Sequence, residues 1–396
     1  MQETLLIHSK CFTLILYYCS KICILSPFGY NFKQNQLKKS IISTLYCIVF
    51  VILTSYIHPV YSLSFYYETL GKNFPSKLEI YAGIFQGAFE YLIVIFIQCS
   101  YLWHRQQIID YFNTKVAFSE KILSRQKEIH GKMYFAVLPI AVIVGCLIKF
   151  LLNFALFILV PDITTSTVTK VIIYFIPNFI VTFVGCTFIV EVISLRYFAL
   201  QINNQLRSSL SIVYDLPKGA SKARRMATAC QVSDQVDELI VLHSELLALV
   251  AKYNSIQSFN LLLYYTNKFV EILVPVFFEY LVLRNLTKFV ARAELTISVG
   301  LINLLTLIRT HPDSHRFVNF QMSTMGKILH DIPYHNTDER LRTSINEFSI
   351  QILHQRPSLT VCGMFKIDNT LISSMISATM SYLILMIQFK FEDVGM

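Results

Sequence analysis

Six ionisable side chains stand inside runs of apolar sequence, and they are the first candidates for chemistry. They are Glu90, Lys149, Glu191, Lys268, Glu271 and Glu279. A charge at mid-bilayer costs a few kcal/mol and persists only beside a partner or water. Lys268 and Glu271, three apart, fall on one helix face and can neutralise each other. Each of the six fits either a satisfied or snorkelling charge or the wall of a water-filled ligand cavity. A second pattern lies near the carboxyl terminus. On a helix Ser374, Ser377, Ser381, Leu385 and Gln388, with Ala378, share one arc of about 100°. In an otherwise apolar span this stripe suits a packing seam of small residues or a pore lining. The pattern alone supports both. Aromatic residues with a few polar groups suit a small organic ligand. Tyr81, Phe85, Tyr174, Asn178, Phe277, Phe278 and Tyr280 are such candidates in outer halves of the spans, although aromatics also simply fill space between helices.

Other chemistries find no residues. GxxxxGK[ST], HExxH and GxSxG are absent, and no His pairs with acids at ligand spacing, so no enzyme, cofactor or metal is expected. The nine cysteines show no CxxC or zinc pattern. Cys47, Cys99, Cys146 and Cys186 lie in apolar runs and read as small buried residues. The net charge of +9 comes without a basic helix or aromatic groove, which argues against nucleic acid.

The elements that must position these residues are membrane helices. Of 396 residues, 54% are hydrophobic and only 15% charged, against roughly 25% charged in an average soluble domain. Twelve glycines are too few for a β-rich architecture. Windows of about 20 apolar residues mark seven spans: 41–60, 80–103, 134–160, 168–195, 259–283, 295–308 and 371–389. The fifth carries three charges and the sixth is short. The stretch 11–25, interrupted by Lys21, reads as an interfacial or packed helix. Lys and Arg number five in 1–40, six in 104–133, seven in 196–257 and seven in 309–369. The alternate segments hold two in 61–79, one in 161–170, three in 284–294 and one at Lys390. That asymmetry puts the amino terminus in the cytoplasm and, after seven spans, the carboxyl terminus outside. The expected fold is therefore an all-α polytopic membrane protein with seven transmembrane helices, in the inverse orientation of a G-protein-coupled receptor. Four parts are expected. They are a cytoplasmic segment 1–40, a six-helix bundle 41–308 with helical cytoplasmic extensions, a cytoplasmic anchor 309–369, and a last helix with a short outer tail, 370–396. Apolar stripes at Val232, Val236, Leu239, Leu246 and Val250, and at Leu341, Ile345, Phe348 and Ile352, make the cytoplasmic connections a packed helical bundle. No internal repeat of the transporter kind is seen.

Ser381-Tyr382-Leu383-Ile384-Leu385-Met386-Ile387-Gln388-Phe389 resembles the TYhhhhhQF signature that closes the last helix of insect gustatory receptors. Residues 348–354 and 362–368 are similar to the segments leading into it. Ser381 stands where the family has Thr and keeps its hydroxyl. The resemblance implies a tetrameric ligand-gated cation channel in the plasma membrane of chemosensory neuron dendrites. It further implies a pore lined by the last helix of each subunit and a small-molecule tastant pocket in the outer bundle. On that footing Gln388 and Phe389 fall at the outer gate, while Leu385, Ser381 and Tyr382 lie along the pore helix. Glu392 and Asp393, just beyond, are candidates for gathering cations at the mouth. Sugar-sensing members commonly carry Glu after the signature Tyr; Leu383 here favours a bitter or other non-sugar tastant, with a fructose-type ligand left open. The tetramer is expected to be a homo- or heterotetramer with gustatory receptor subunits. Two further readings are a co-receptor subunit of a heteromeric taste channel that binds no ligand itself and, more distantly, a G-protein-coupled receptor or transporter. The sequon Asn285-Leu286-Thr287 lies so close to the membrane that it is expected to be unmodified.

Overall fold

Polar side chains open several helices of this chain: Ser40, Ser221, Asp338 and Asp368 each accept from a backbone N–H of the first turn that follows. The computed structural model describes residues 16–65, 77–124, scattered positions between 140 and 151, 165–217, 219–283, 324–330, 338–355 and 359–394. A β-hairpin, β1 (Phe28–Asn31) and β2 (Gln36–Lys39), precedes α1 (Ile41–Phe65), α2 (Lys77–Trp103) and α3 (Arg105–Ser124). Two long helices follow, α4 (Thr165–Tyr214) and α5 (Lys222–Leu283), then α6 (Glu339–His354). A second hairpin, β3 (Thr360–Val361) and β4 (Phe365–Lys366), leads into α7 (Asn369–Val394). Five described helices, α1, α2, α4, α5 and α7, are long and apolar enough to cross a membrane. Of the expected spans, 134–160 lies almost wholly, and 295–308 wholly, outside the described residues.

The 50 residues of α4 and 62 of α5 make rods of about 75 and 93 Å at 1.5 Å per residue. A hydrocarbon core is about 30 Å thick, so each helix must run far beyond the bilayer. Hydropathy windows ended α4's span at residue 195 and began α5's at 259, yet neither helix breaks there. Val232, Val236, Leu239, Leu246 and Val250 are all buried along α5, and Leu341, Ile345 and Phe348 of α6 pack with them into the main core. Ser233 and Ser344 share a hydrogen bond of 2.8 Å across this seam.

His243 lies in the same seam, 1% exposed, with its ring edge-on to Phe348 at 5.5 Å. Neither ring nitrogen has a hydrogen-bond partner, and burial pushes the imidazole down from 6.5 to about 4. Between those values the unfolded chain binds more protons than the folded one. Stability is therefore full above about pH 6.5 and is lost as pH falls towards 4, by about 3 kcal/mol in all. Melting temperatures of the purified protein between pH 7 and 4.5 are expected to fall, and His243→Leu is expected to flatten that slope.

Residues 16–25, the described part of the stretch 11–25, pack into the core. They are helical over residues 16–22, and Cys23 and Leu25 are each 1% exposed in the main core. Ile24 closes the helix at φ 60°, a position that usually falls to glycine. The first hairpin has no counterpart in the sequence expectations. Its Phe28 and Leu37 pack on Ile109 of α3. Asn113 ties it down by accepting from the Leu37 N–H at 2.9 Å and donating to the Leu37 carbonyl at 3.1 Å.

Cysteine burial needs a correction. Cys47 is buried as expected, but Cys99 is exposed and Cys186 half-buried, and Cys146 lies outside the described residues. An apolar run in a membrane helix can face lipid as readily as protein.

Candidate functional site

Three groups of side chains meet around α5: a buried charge pair facing α4, an aromatic seam facing α7, and the hairpin that starts α7. Lys268 (3% exposed) and Glu271 (4%) form the ion pair their spacing suggested, Nζ to Oε2. Asn178 of α4 donates its amide to Glu271 Oε1 at 3.0 Å. The Lys268 ammonium also stands 5.6 Å from the centre of the Tyr264 ring. In an apolar surround an ammonium and an amide donor both offset the cost of burying a carboxylate. Gly185 of α4 gives Tyr264 its place, because a Cβ there would meet the ring Cζ at 2.7 Å and Oη at 2.9 Å.

Glu191 is satisfied differently. It accepts from the Tyr111 hydroxyl and pairs with Lys115 Nζ at 2.6 Å, both on α3. Burial first, and then the Glu191 charge, hold the Tyr111 phenol protonated well above its ordinary range. Glu90 is buried on α2. Lys149 and the side chain of Glu279 lie outside the described residues.

The other face of α5 carries α7. Phe269 meets the Tyr382 ring edge-on at 5.8 Å, and Met386 packs on the cluster of Ala82, Val270 and Val274. Ile372, Met375, Thr379 and Lys390 are the buried side of α7. Ser374, Ser377, Ser381, Leu385 and Gln388 are all exposed, on an arc centred about 180° from that buried side. The Ser374 and Ser381 hydroxyls bond to carbonyls one turn earlier, at 2.9 and 3.1 Å, so neither requires a partner elsewhere. Phe389 is 58% exposed.

Side chain-to-backbone bonds fasten the segment that leads into the amino-terminal end of α7 to α5. Asn254 accepts from the Thr360 N–H at 3.0 Å, and Ser258 donates to the Thr360 carbonyl at 3.2 Å while accepting from the Cys362 N–H. Cys362 and Gly363, at φ 51° and 69°, make the turn between β3 and β4. Asp368 caps α7 by accepting from the Thr370 N–H at 2.9 Å. These ties escaped the sequence reading; the Cys-Gly pair between short apolar runs was the one local sign of a turn.

Of the proposed pocket residues, Phe85, Phe277 and Phe278 are linked through Phe89 and the Ala82 cluster, while Asn178 bonds to Glu271. Tyr81 and Phe85 are 65% and 55% exposed on α2, with Phe85 stacked on Phe89. Phe277 is fully buried 5.9 Å from Phe278, which packs on the Ala82 cluster. Asn178 and Tyr280 are half-buried. The side chains of Tyr174, Glu392 and Asp393 lie outside the described residues. No group of three or more His, Cys, Asp or Glu able to hold a metal occurs among the described residues.

With this geometry in place, likeness to known proteins decides the family. The sequence model described as 7tm Chemosensory receptor matches residues 13–393. The chain belongs to that family. The receptor is 30% identical over 169 residues to gustatory receptor for bitter taste 93a of Drosophila melanogaster, covering 43% of this chain and 39% of the relative. It is 24% identical over 202 residues to putative gustatory receptor 94a of the same fly, 47% of this chain and 48% of the relative. The matches thus span less than half the length of these relatives. In structure the receptor is similar to olfactory receptor OR5 of Machilis hrabei in complex with eugenol, with a TM-score of 0.62. That likeness covers 97% of this chain and 99% of the other at 12% identity, and it speaks for the fold alone. The resemblance read from residues 381–389 is borne out at the level of the family.

Proposed function

We propose that the receptor is a subunit of a tetrameric, ligand-gated, non-selective cation channel in the plasma membrane, opened by a small non-volatile tastant. The observation that carries this reading is the polar stripe of α7, turned directly away from the helix's own subunit. A polar stripe set opposite the packed side of a membrane helix is suited to face an aqueous lumen. Four copies around an axis would supply it, with Gln388 and Phe389 as the outer constriction and Ser381 and Leu385 below. Tyr382, in contact with Phe269, serves packing between α5 and α7. Ligand binding in the outer bundle opens the gate only through higher affinity for the open state, and α5 is the lever because it touches both α4 and α7. A bitter or other non-sugar compound is favoured by Leu383 and by the partial match to a receptor named for bitter taste. In this reading the carboxyl terminus is outside, Glu392 and Asp393 stand at the outer mouth, and no catalytic step occurs.

The test is whole-cell current in cells expressing the chain, challenged with a tastant panel while G-protein signalling is blocked. Tastant-evoked cation current is expected. Gln388→Ala is expected to raise ligand-free current about fivefold, the equivalent of about 1 kcal/mol removed from the closed state. Surface expression with no current under any tastant, and a silent Gln388→Ala, would contradict the proposal.

A further inference from the structure

The amino-terminal hairpin and the start of α1 carry charge that nothing in the gating account uses. Residues 16–65 contain Lys21, Lys33, Lys38 and Lys39 and not one Asp or Glu. In the hairpin, Phe28 pairs with Lys39 and Tyr30 with Leu37 on the side that packs on α3, and Gly29 pairs with Lys38 on the opposite side. Lys33, in the turn, and Lys38 and Lys39 are all exposed. Two more cations reach the first turn of α1. Lys21 Nζ donates to Ser43 Oγ at 2.6 Å, and Arg105 Nη1 donates to Thr44 Oγ1 at 3.2 Å. Thr44 in turn donates to the Pro27 carbonyl at 3.0 Å, which joins this turn to the root of the hairpin. Asp110, on α3, accepts from Gln106 at 2.8 Å.

Large apolar side chains border the cations. Ile41 and Ile42 are 79% and 82% exposed at the entry of α1, and their surface continues into the exposed, lipid-length face of that helix. Trp103, 86% exposed, ends α2 two residues before Arg105, a position typical of aromatic residues at a membrane–water boundary. Phe32, in the hairpin turn, is 58% exposed.

We propose that the hairpin and the adjoining ends of α1, α2 and α3 dock on the bilayer itself: Phe32 and Trp103 enter the headgroup boundary while Lys33, Lys38, Lys39 and Arg105, on both sides of the hairpin and at its root, bind the headgroups of anionic phospholipids in the cytoplasmic leaflet. Charge complementarity and continuity with the lipid-facing side of α1 select this occupant. A positive surface bordered by apolar residues repels a second copy of itself and fits a negative surface with an apolar interior. Its cytoplasmic placement rests on the orientation in the proposed function.

The full-length receptor, purified in neutral detergent, is titrated with phosphatidylserine, phosphatidylcholine or inorganic phosphate while its melting temperature is followed. Phosphatidylserine is expected to stabilise at far lower concentration than phosphatidylcholine, with an effect that shrinks as salt rises. Each lysine near the surface contributes about fivefold, so K33Q/K38Q/K39Q is expected to shift the phosphatidylserine midpoint upward on the order of 100-fold. Should that variant melt lower than the parent before any lipid is added, K38Q alone, on the open side of the hairpin, is expected to shift it about fivefold. Equal stabilisation by both lipids, the same stabilisation by inorganic phosphate, an unmoved midpoint in the variants, or association of purified receptors through this face would overturn the proposal. Orientation is read separately, from antibody access to epitopes at each terminus on intact cells. An accessible amino-terminal epitope would refute the cytoplasmic placement without altering the lipid titration.

Discussion

Lys268→Met is expected to destabilise the receptor by about 3–5 kcal/mol, the cost of leaving a buried carboxylate without its cation. Glu271 keeps the Asn178 amide as a donor, but a neutral donor does not replace an ammonium in a surround that is 3–5% exposed. The double change Lys268→Met with Glu271→Met is expected to recover most of the loss, because well-packed apolar residues commonly replace a buried pair at little cost. Melting curves of the three variants in one detergent check this. A single variant as stable as the parent would mean that Glu271 is not charged in the folded protein. The gating consequence is testable in the same cells. Phe269 and Val270, next to Lys268, are the residues of α5 that meet Tyr382 and Met386, so loosening the pair is expected to change ligand-free current as well.

The second large effect is expected at Gly185. Tyr264 is 5% exposed, with Tyr265 edge-on at 5.3 Å and the Lys268 ammonium over its ring. Its ring therefore has no free direction in which to yield to a new side chain. Gly185→Ala is expected to cost about 1–3 kcal/mol by overpacking, and Gly185→Val more. Combining Gly185→Ala with Tyr264→Leu is expected to restore stability beyond what the two single changes predict, since the residues are in contact. Additive losses in that cycle would contradict direct packing of Gly185 on Tyr264. Surface abundance, measured beside melting temperature, is expected to follow the same order.

The architecture was legible in the sequence wherever a periodic pattern met a physical boundary. Charge counts and apolar windows marked the five described membrane helices, and the stripes at 232–250 and 341–352 identified the faces that α5 and α6 bury. Hydropathy windows marked only the lipid-length parts of α4 and α5, and the helical extensions beyond them were legible instead in the apolar stripe at 232–250. The candidate site was legible in part. Spacing alone suggested the pairing of Lys268 with Glu271 and gathered the polar residues of α7 onto one face. Which partners these faces meet was not encoded locally. The bonds of Asn113 to Leu37 and of Asn254 to Thr360 join residues 76 and 106 positions apart, and no window spans them. Gly185 looks like any small residue in an apolar run until Tyr264 is set against it. For the same reason, aromatic residues chosen by depth alone divided between exposed Tyr81 and Phe85 and the buried Phe277.

The central claim, that four copies of α7 turn their polar faces to a common axis, can be tested without knowing the ligand. Single cysteines are placed at Gln388, on the exposed stripe, and at Thr379, on the buried side, and membranes are oxidised before denaturing electrophoresis. Gln388→Cys is expected to yield a disulfide-linked dimer between copies, above the background of the parent chain, and Thr379→Cys none. A dimer from Thr379→Cys, or none from Gln388→Cys in assembled receptor, would contradict a pore lined by this helix.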